Sequence, residues 1–73
     1  MSSSIHDDRY KALLIELRNA RERQNLSQAE LAQRIGRRQQ FVSKYESGER
    51  RLDIIEFVDI AAQLQIAWKD LLN

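Results

Sequence analysis

Cysteine and proline are absent from the 73-residue chain, and glycine occurs only twice, at Gly36 and Gly48. Without cysteine there can be no disulfide and no thiolate metal site. Without proline, and with many Ala, Leu, Glu, Gln and Arg, the composition favours helices throughout. His6 is the only histidine; lying in a polar stretch with no second imidazole, it reads as a solvated group and not a metal ligand. Apolar runs are only a few residues long, far short of a membrane span, and no secretory signal pattern precedes them. The chain is therefore expected to be soluble and cytoplasmic, with no membrane partner. Catalysis needs a nucleophile, base or metal cluster. The carboxylates Asp53, Glu56 and Asp59 instead stand at spacings that suit a wet helix face. No enzyme, no cofactor and no metal are expected.

What is present is unevenly charged. The net charge is only +1, yet residues 28–51 carry six bases against three acids and residues 52–73 one base against four acids. Such asymmetry suits one face for an anionic partner and another for something else.

The length allows one domain with a modest core. Residues 1–8, polar and without periodicity, read as a flexible N-terminal tail, and residues 9–73 as the folded domain. Asp7 or Asp8 is placed to cap a first helix from about Arg9 to Gln24, with Leu13, Leu14, Leu17, Ala20 and Arg21 on one side. Asn25 and Leu26 break the pattern. Ser27 and Glu30 form the S-x-x-E capping box of a second helix, Gln28 to Ile35, which buries Leu31, Ala32 and Ile35. Gly36 stands where a left-handed residue would end it. A third helix, Gln39 to Ser47, turns Val42 and Tyr45 inward and ends at Gly48. After a polar loop from Glu49 to Leu52, Asp53 caps a fourth, Ile54 to Gln63, whose inner stripe is Ile54, Phe57, Val58, Ala61 and Leu64. A short fifth, Trp68 to Leu72, closes a compact all-α domain.

The second and third helices have the spacing that a helix-turn-helix requires. Ala32 is small where the two helices approach most closely. Gly36, four residues on, can take the positive φ of the sharp turn, and Val42, six further on, plugs the angle between the helices. An ordinary αα-hairpin with a glycine cap remains the plainer alternative. A helix-turn-helix lays its second helix in the DNA major groove. With Val42 and Tyr45 inward, Arg38, Gln39, Gln40, Ser43 and Lys44 are left facing out. Gln pairs with adenine, and Arg or Lys with guanine; these five are the candidate base contacts. Arg37 could reach a phosphate or a base. Gln28, beside the free N–H groups that begin the second helix, is a candidate phosphate contact, and Ser47 a weaker one.

The stretch from Leu17 to Leu72, through LRNAR, LSQAELAQRIG, QQFVSKYESGER and IIEFVDIAAQLQIAWKDLL, resembles the phage-repressor and Cro type of helix-turn-helix regulators, the XRE-like family. The resemblance implies a five-helix, lambda-repressor-like DNA-binding domain acting on operators in transcription. It implies glutamines at the start of the third helix against base edges, and Arg50 and Arg51 along the DNA backbone. It also implies an ion pair between Arg21 and Glu46 that fixes the recognition helix, such that Arg21→Met keeps the fold and weakens operator binding. Three positions depart from the family pattern: Leu52 for a frequent proline, Gln65 for a glycine, and Ala67 for a capping Ser or Asp. They leave the ends of the fourth and fifth helices open.

Ile66, Trp68, Leu71 and Leu72 gather more apolar bulk than one short helix buries, which nominates a homodimer interface. Two-fold pairing there would set two recognition helices about 34 Å apart on a palindromic operator. The expected partners are thus double-stranded DNA and a second copy, with RNA polymerase or a toxin as further possibilities. An antitoxin or protein-interaction module on a helix-turn-helix scaffold is the rival reading. At this size, control by the protein's own concentration is expected over control by an effector.

Overall fold

The computed structural model describes residues 7–71. Five helices follow one another: α1 (Asp8–Arg23), α2 (Gln28–Arg34), α3 (Gln39–Ser47), α4 (Ile54–Gln63) and α5 (Trp68–Leu71), with no strand among the described residues. The all-α, five-helix fold is as the sequence implies, and the helix boundaries agree within a residue. Helix α1 takes in the end of the expected tail. The Asp7 carboxylate accepts from Arg9 N at 2.8 Å and is gripped by the Arg9 guanidinium, which holds its pKa down at about 2. Asp7 is thus the N-cap of α1 and Asp8 its first residue. The rest of the tail assignment, His6 and Leu72 lie outside the described residues.

Two of the helices begin with the same six-residue device. In Leu26-Ser27-Gln28-Ala29-Glu30-Leu31, Ser27 Oγ accepts from Glu30 N at 3.0 Å and Glu30 Oε1 accepts from Ser27 N at 2.9 Å. In Leu52-Asp53-Ile54-Ile55-Glu56-Phe57, Asp53 and Glu56 exchange bonds in the same way at 2.7 and 3.0 Å. Each box is flanked by a buried pair, Leu26 with Leu31 and Leu52 with Phe57, in the positions of a hydrophobic staple. This corrects two expectations. Leu52 is a core residue and not part of a polar loop, whereas Ile54, expected inward, is 60% exposed. Leu52 enters the core just ahead of the cap, so the first turn of α4 projects beyond it. The inner stripe is Phe57, Ile60, Ala61 and Leu64, spaced i, i+3, i+4 and i+7, with Val58 only partly covered.

Three helices also end alike. The N–H of Leu26 bonds Arg21 O, that of Arg37 bonds Ala32 O, and that of Ile66 bonds Ala61 O, at 2.8–3.2 Å. Each bond spans a left-handed residue: Asn25 at φ 58°, Gly36 at φ 70° and Gln65 at φ 58°. This is the Schellman arrangement, which satisfies otherwise orphaned helix carbonyls. Gln65 therefore fills the role of the missing glycine, and α4 ends at Gln63 without one. Gly48, at φ 86°, caps α3.

The core gathers Leu14, Leu17 and Ala20 of α1, Leu31 and Ala32 of α2, Phe41, Val42 and Tyr45 of α3, and the α4 stripe. Two polar ties join α1 to the two ends of α4: Leu52 N, just ahead of α4, donates to Tyr10 Oη at 2.9 Å, and Gln24 Nε2 donates to Leu64 O, at its C-cap, at 2.6 Å. No helix among the described residues is long and apolar enough to cross a membrane.

Candidate nucleic-acid interface

Helix α3 divides cleanly into two faces. At about 100° per residue, Gln39, Gln40, Ser43, Lys44 and Ser47 fall within an arc of roughly 140°, and all five are exposed. Opposite them Val42 and Tyr45 are fully buried, and Phe41 is 9% exposed. Phe41 was missed as a core residue. Its i, i+4 relation to Tyr45 was the available signal, and the two rings meet edge-on at 5.6 Å. Arg38 precedes the helix at its N-cap, exposed and with no side-chain capping bond. At nine residues, α3 is about 13 Å long and of a size to lie in a major groove about 12 Å wide. Among the described residues no ion pair engages Arg38, Lys44 or Arg51.

The orientation of α3 is set from α1 by Arg21 and Glu46. Arg21 Nε and Nη2 donate to the two Glu46 carboxylate oxygens at 2.7 and 3.0 Å, while Nη1 donates to Leu26 O at 2.6 Å. Both side chains are nearly closed off from solvent, at 9% and 4% exposure. Gln28 Nε2 adds a bond to Glu46 Oε1 at 3.0 Å. The Gln28 amide, expected at a phosphate, is thus tied to the base of the recognition helix. Glu30 N at the start of α2 is already paired within the capping box. Ser47 Oγ similarly donates to Lys44 O at 3.0 Å, closing the end of α3. The Tyr45 hydroxyl lies in this region, buried and without a hydrogen-bond partner among the described residues, and burial pushes its pKa up.

A second cluster was not foreseen. Glu56, expected on a wet face, is 8% exposed. Its Oε1 accepts from Arg50 Nη1 at 2.9 Å and from Asp53 N at 3.0 Å; its Oε2 accepts from Arg50 Nη2 at 2.8 Å and Arg37 Nη2 at 3.2 Å. The forked bond from Arg50 is the main reason its pKa is lowered to about 2, against a smaller opposing effect of burial. Both guanidiniums also sit over the Phe41 ring, 4.6 and 4.7 Å from its centre. Arg37 and Arg50, expected on phosphates, are therefore engaged by the protein itself. Of the basic residues assigned to the DNA backbone, Arg51 alone has no ion pair among the described residues. The repeat of L-x-x-x-E from the start of α2 at the start of α4 was the signal that could have found Glu56.

Around α5, Ile66 and Leu71 are half-buried against the core, while Trp68 is 37% exposed with Lys69 near its ring. Ile54 and Ile55, at 60% and 66%, are the more exposed apolar side chains.

The helix-turn-helix family matches residues 17–71. A solved structure, that of an XRE-family like protein from Pseudomonas syringae pv. tomato str. DC3000, is similar at 49% identity and a TM-score of 0.86, covering 94% of this chain and 84% of that one. No curated protein matches.

Proposed function

Since the chain belongs to the XRE family of helix-turn-helix DNA-binding regulators, we propose that it is a sequence-specific transcriptional repressor or controller that binds a palindromic operator as a homodimer. The observation that carries this reading is the exposed polar arc of α3, whose glutamines and lysine make no side-chain bond among the described residues, braced from behind by the Arg21–Glu46 pair. Gln39 and Gln40 lie in the first turn, where a recognition helix meets base edges, and their amides offer the paired donor and acceptor that adenine requires. Lys44, one turn on from Gln40, is placed for a guanine, with Ser43 between them and Arg38 at the helix mouth. Arg51 supplies backbone affinity, which fixes register without reading sequence. Gln28 keeps one amide hydrogen beyond its bond to Glu46, and Ser47 keeps acceptor capacity only.

Pairing of two copies is proposed through Trp68, with Ile66 and Leu71 as the half-covered rim of the patch and Leu72 continuing it in sequence. Such a dimer presents two α3 helices one DNA turn apart. Selection of bound sequences from a randomised duplex pool at about physiological salt tests the reading, because non-specific binding is then suppressed. The expected product is a palindrome, and Gln39→Ala or Gln40→Ala should relax preference at single positions by about 1–3 kcal/mol. Recovery of no motif would move the function to a protein-partner role, such as an antitoxin.

A further inference from the structure

We propose that Glu56 is a positioning residue for DNA binding: it withholds Arg50 from phosphate and uses it, together with Arg37, to fix the recognition helix against α4. The inference rests on the DNA-binding reading above and reassigns residues within it.

The first ground is that the Glu56 carboxylate is saturated. It has about four acceptor positions, and Asp53 N, Arg37 and the two Arg50 nitrogens occupy four. Capping of α4 alone needs one oxygen and no burial, so the cap does not account for two arginines gathered on a group that is 8% exposed. The second ground is where those arginines come from. Arg37 immediately precedes the α3 cap, Arg50 follows α3, and Phe41, under both guanidiniums, lies in its first turn. One carboxylate on α4 thus holds both flanks of the recognition helix.

The third ground is the alternative that Arg50 forgoes. To reach a phosphate with the same nitrogens it must leave the Phe41 ring, Glu56 and the carbonyl of Arg51. That would strip a buried carboxylate of its forked partner, which is among the more costly changes in a protein. Arg51, the next residue, is exposed and carries no such obligation. The two adjacent arginines therefore divide the work: Arg51 serves DNA and Arg50 serves the fold of the reading head.

Binding to a random-sequence duplex of about 30 base pairs, measured against salt, tests this division. Non-specific binding reads phosphates, and the slope of log affinity on log salt falls by about 0.9 for each phosphate contact removed. Arg51→Gln should lose about that much slope, and Arg50→Gln none. An Arg50→Gln slope reduced as far as that of Arg51→Gln overturns the proposal. Glu56→Gln provides a second arm, keeping an acceptor for the cap while releasing both arginines and adding one net positive charge. With this variant the random duplex should bind more tightly and with a steeper slope. The ratio of affinity for the selected operator to affinity for the random duplex should fall about tenfold. An unchanged ratio would mean that Glu56 only tunes charge, and would also overturn the proposal. Should Arg50→Gln fail to fold, as judged by far-UV circular dichroism, the Glu56→Gln ratio decides alone. Wild-type protein that binds no duplex at all would remove the DNA reading itself, a result distinct from either of these.

Discussion

Replacing Arg21 by Met should remove a large part of the protein's stability, and adding Glu46→Met should restore most of it. The structure sets the size of both effects. Arg21 supplies two of the three hydrogen bonds to the Glu46 carboxylate, and the Glu46 side chain is only 4% exposed. Removing Arg21 leaves a buried carboxylate on a single amide and also frees Leu26 O. Breaking a buried pair from one side costs about 3–5 kcal/mol. At about 0.05–0.15 kcal/mol per residue, a 73-residue domain has roughly 4–11 kcal/mol in all. The single variant therefore consumes a large part of the total, and Arg21→Met keeps the fold, as expected from sequence, only if the stability lies toward the upper end of that range. In the double variant no charge is stranded, and replacing a buried pair by apolar groups of similar volume is often close to neutral. Urea unfolding followed by circular dichroism gives both numbers, with the midpoint moving at a roughly constant slope. The expected single-variant loss exceeds about 3 kcal/mol, and the double variant recovers most of it. Operator affinity should not recover with it, because two methionines have no directional bond to hold the angle of α3. A single-variant loss below about 1 kcal/mol would refute the reasoning, as would a double variant less stable than the single one.

Three further outcomes follow from features outside that pair. Tyr45→Phe removes a buried hydroxyl without a partner, so stability should stay level or rise by up to about 1 kcal/mol; a clear loss in urea unfolding would show that the hydroxyl is bonded after all. Gln65→Gly relieves a left-handed side chain at φ 58° and should add about 0.5–1 kcal/mol even after the entropy of the glycine in the unfolded chain; thermal melting checks it, and a lower midpoint would count against the strain. Glu56, with its pKa depressed to about 2, contributes stability that is fully present above its ordinary carboxylate value near 4.5 and is lost as pH falls toward 2. Because its arginine partners are 40–45% exposed, that contribution is about 1–3 kcal/mol after screening. Unfolding measured from pH 5 to 2 should show it in the wild type and not in Glu56→Gln.

What could be read from sequence was whatever is written within one helical turn. Ser27 with Glu30, Asp53, Gly36 and Gly48 each act on backbone groups three to five residues away, so the helix boundaries came out within a residue. The outward side chains of α3 were legible for the same reason, since Val42 and Tyr45 settle the helix rotation. What sequence hides is the packing between helices. Ile54 has the right spacing for the inner stripe, yet it is Leu52, ahead of the cap, that is buried and Ile54 that is exposed. Arg37 and Arg50 look like phosphate ligands because nothing nearby in sequence opposes them. Their partner, Glu56, lies 19 and 6 residues away, in the first turn of α4. Charge counted along the chain therefore overstates what the basic middle presents to DNA, since one carboxylate from the acidic third is folded into it.

The two matching start devices, at Leu26–Leu31 and Leu52–Phe57, also bear on how fast this chain finds its shape. Each fixes a helix origin and its entry angle using six consecutive residues, before any distant part of the chain is in place. Loops of such length close in tens of nanoseconds, and helical domains built from near-neighbour contacts fold in microseconds to milliseconds. With no proline in the sequence, there is no prolyl isomerisation to add a phase of seconds. A stopped-flow refolding trace should therefore be complete within its dead time or shortly after, as a single exponential.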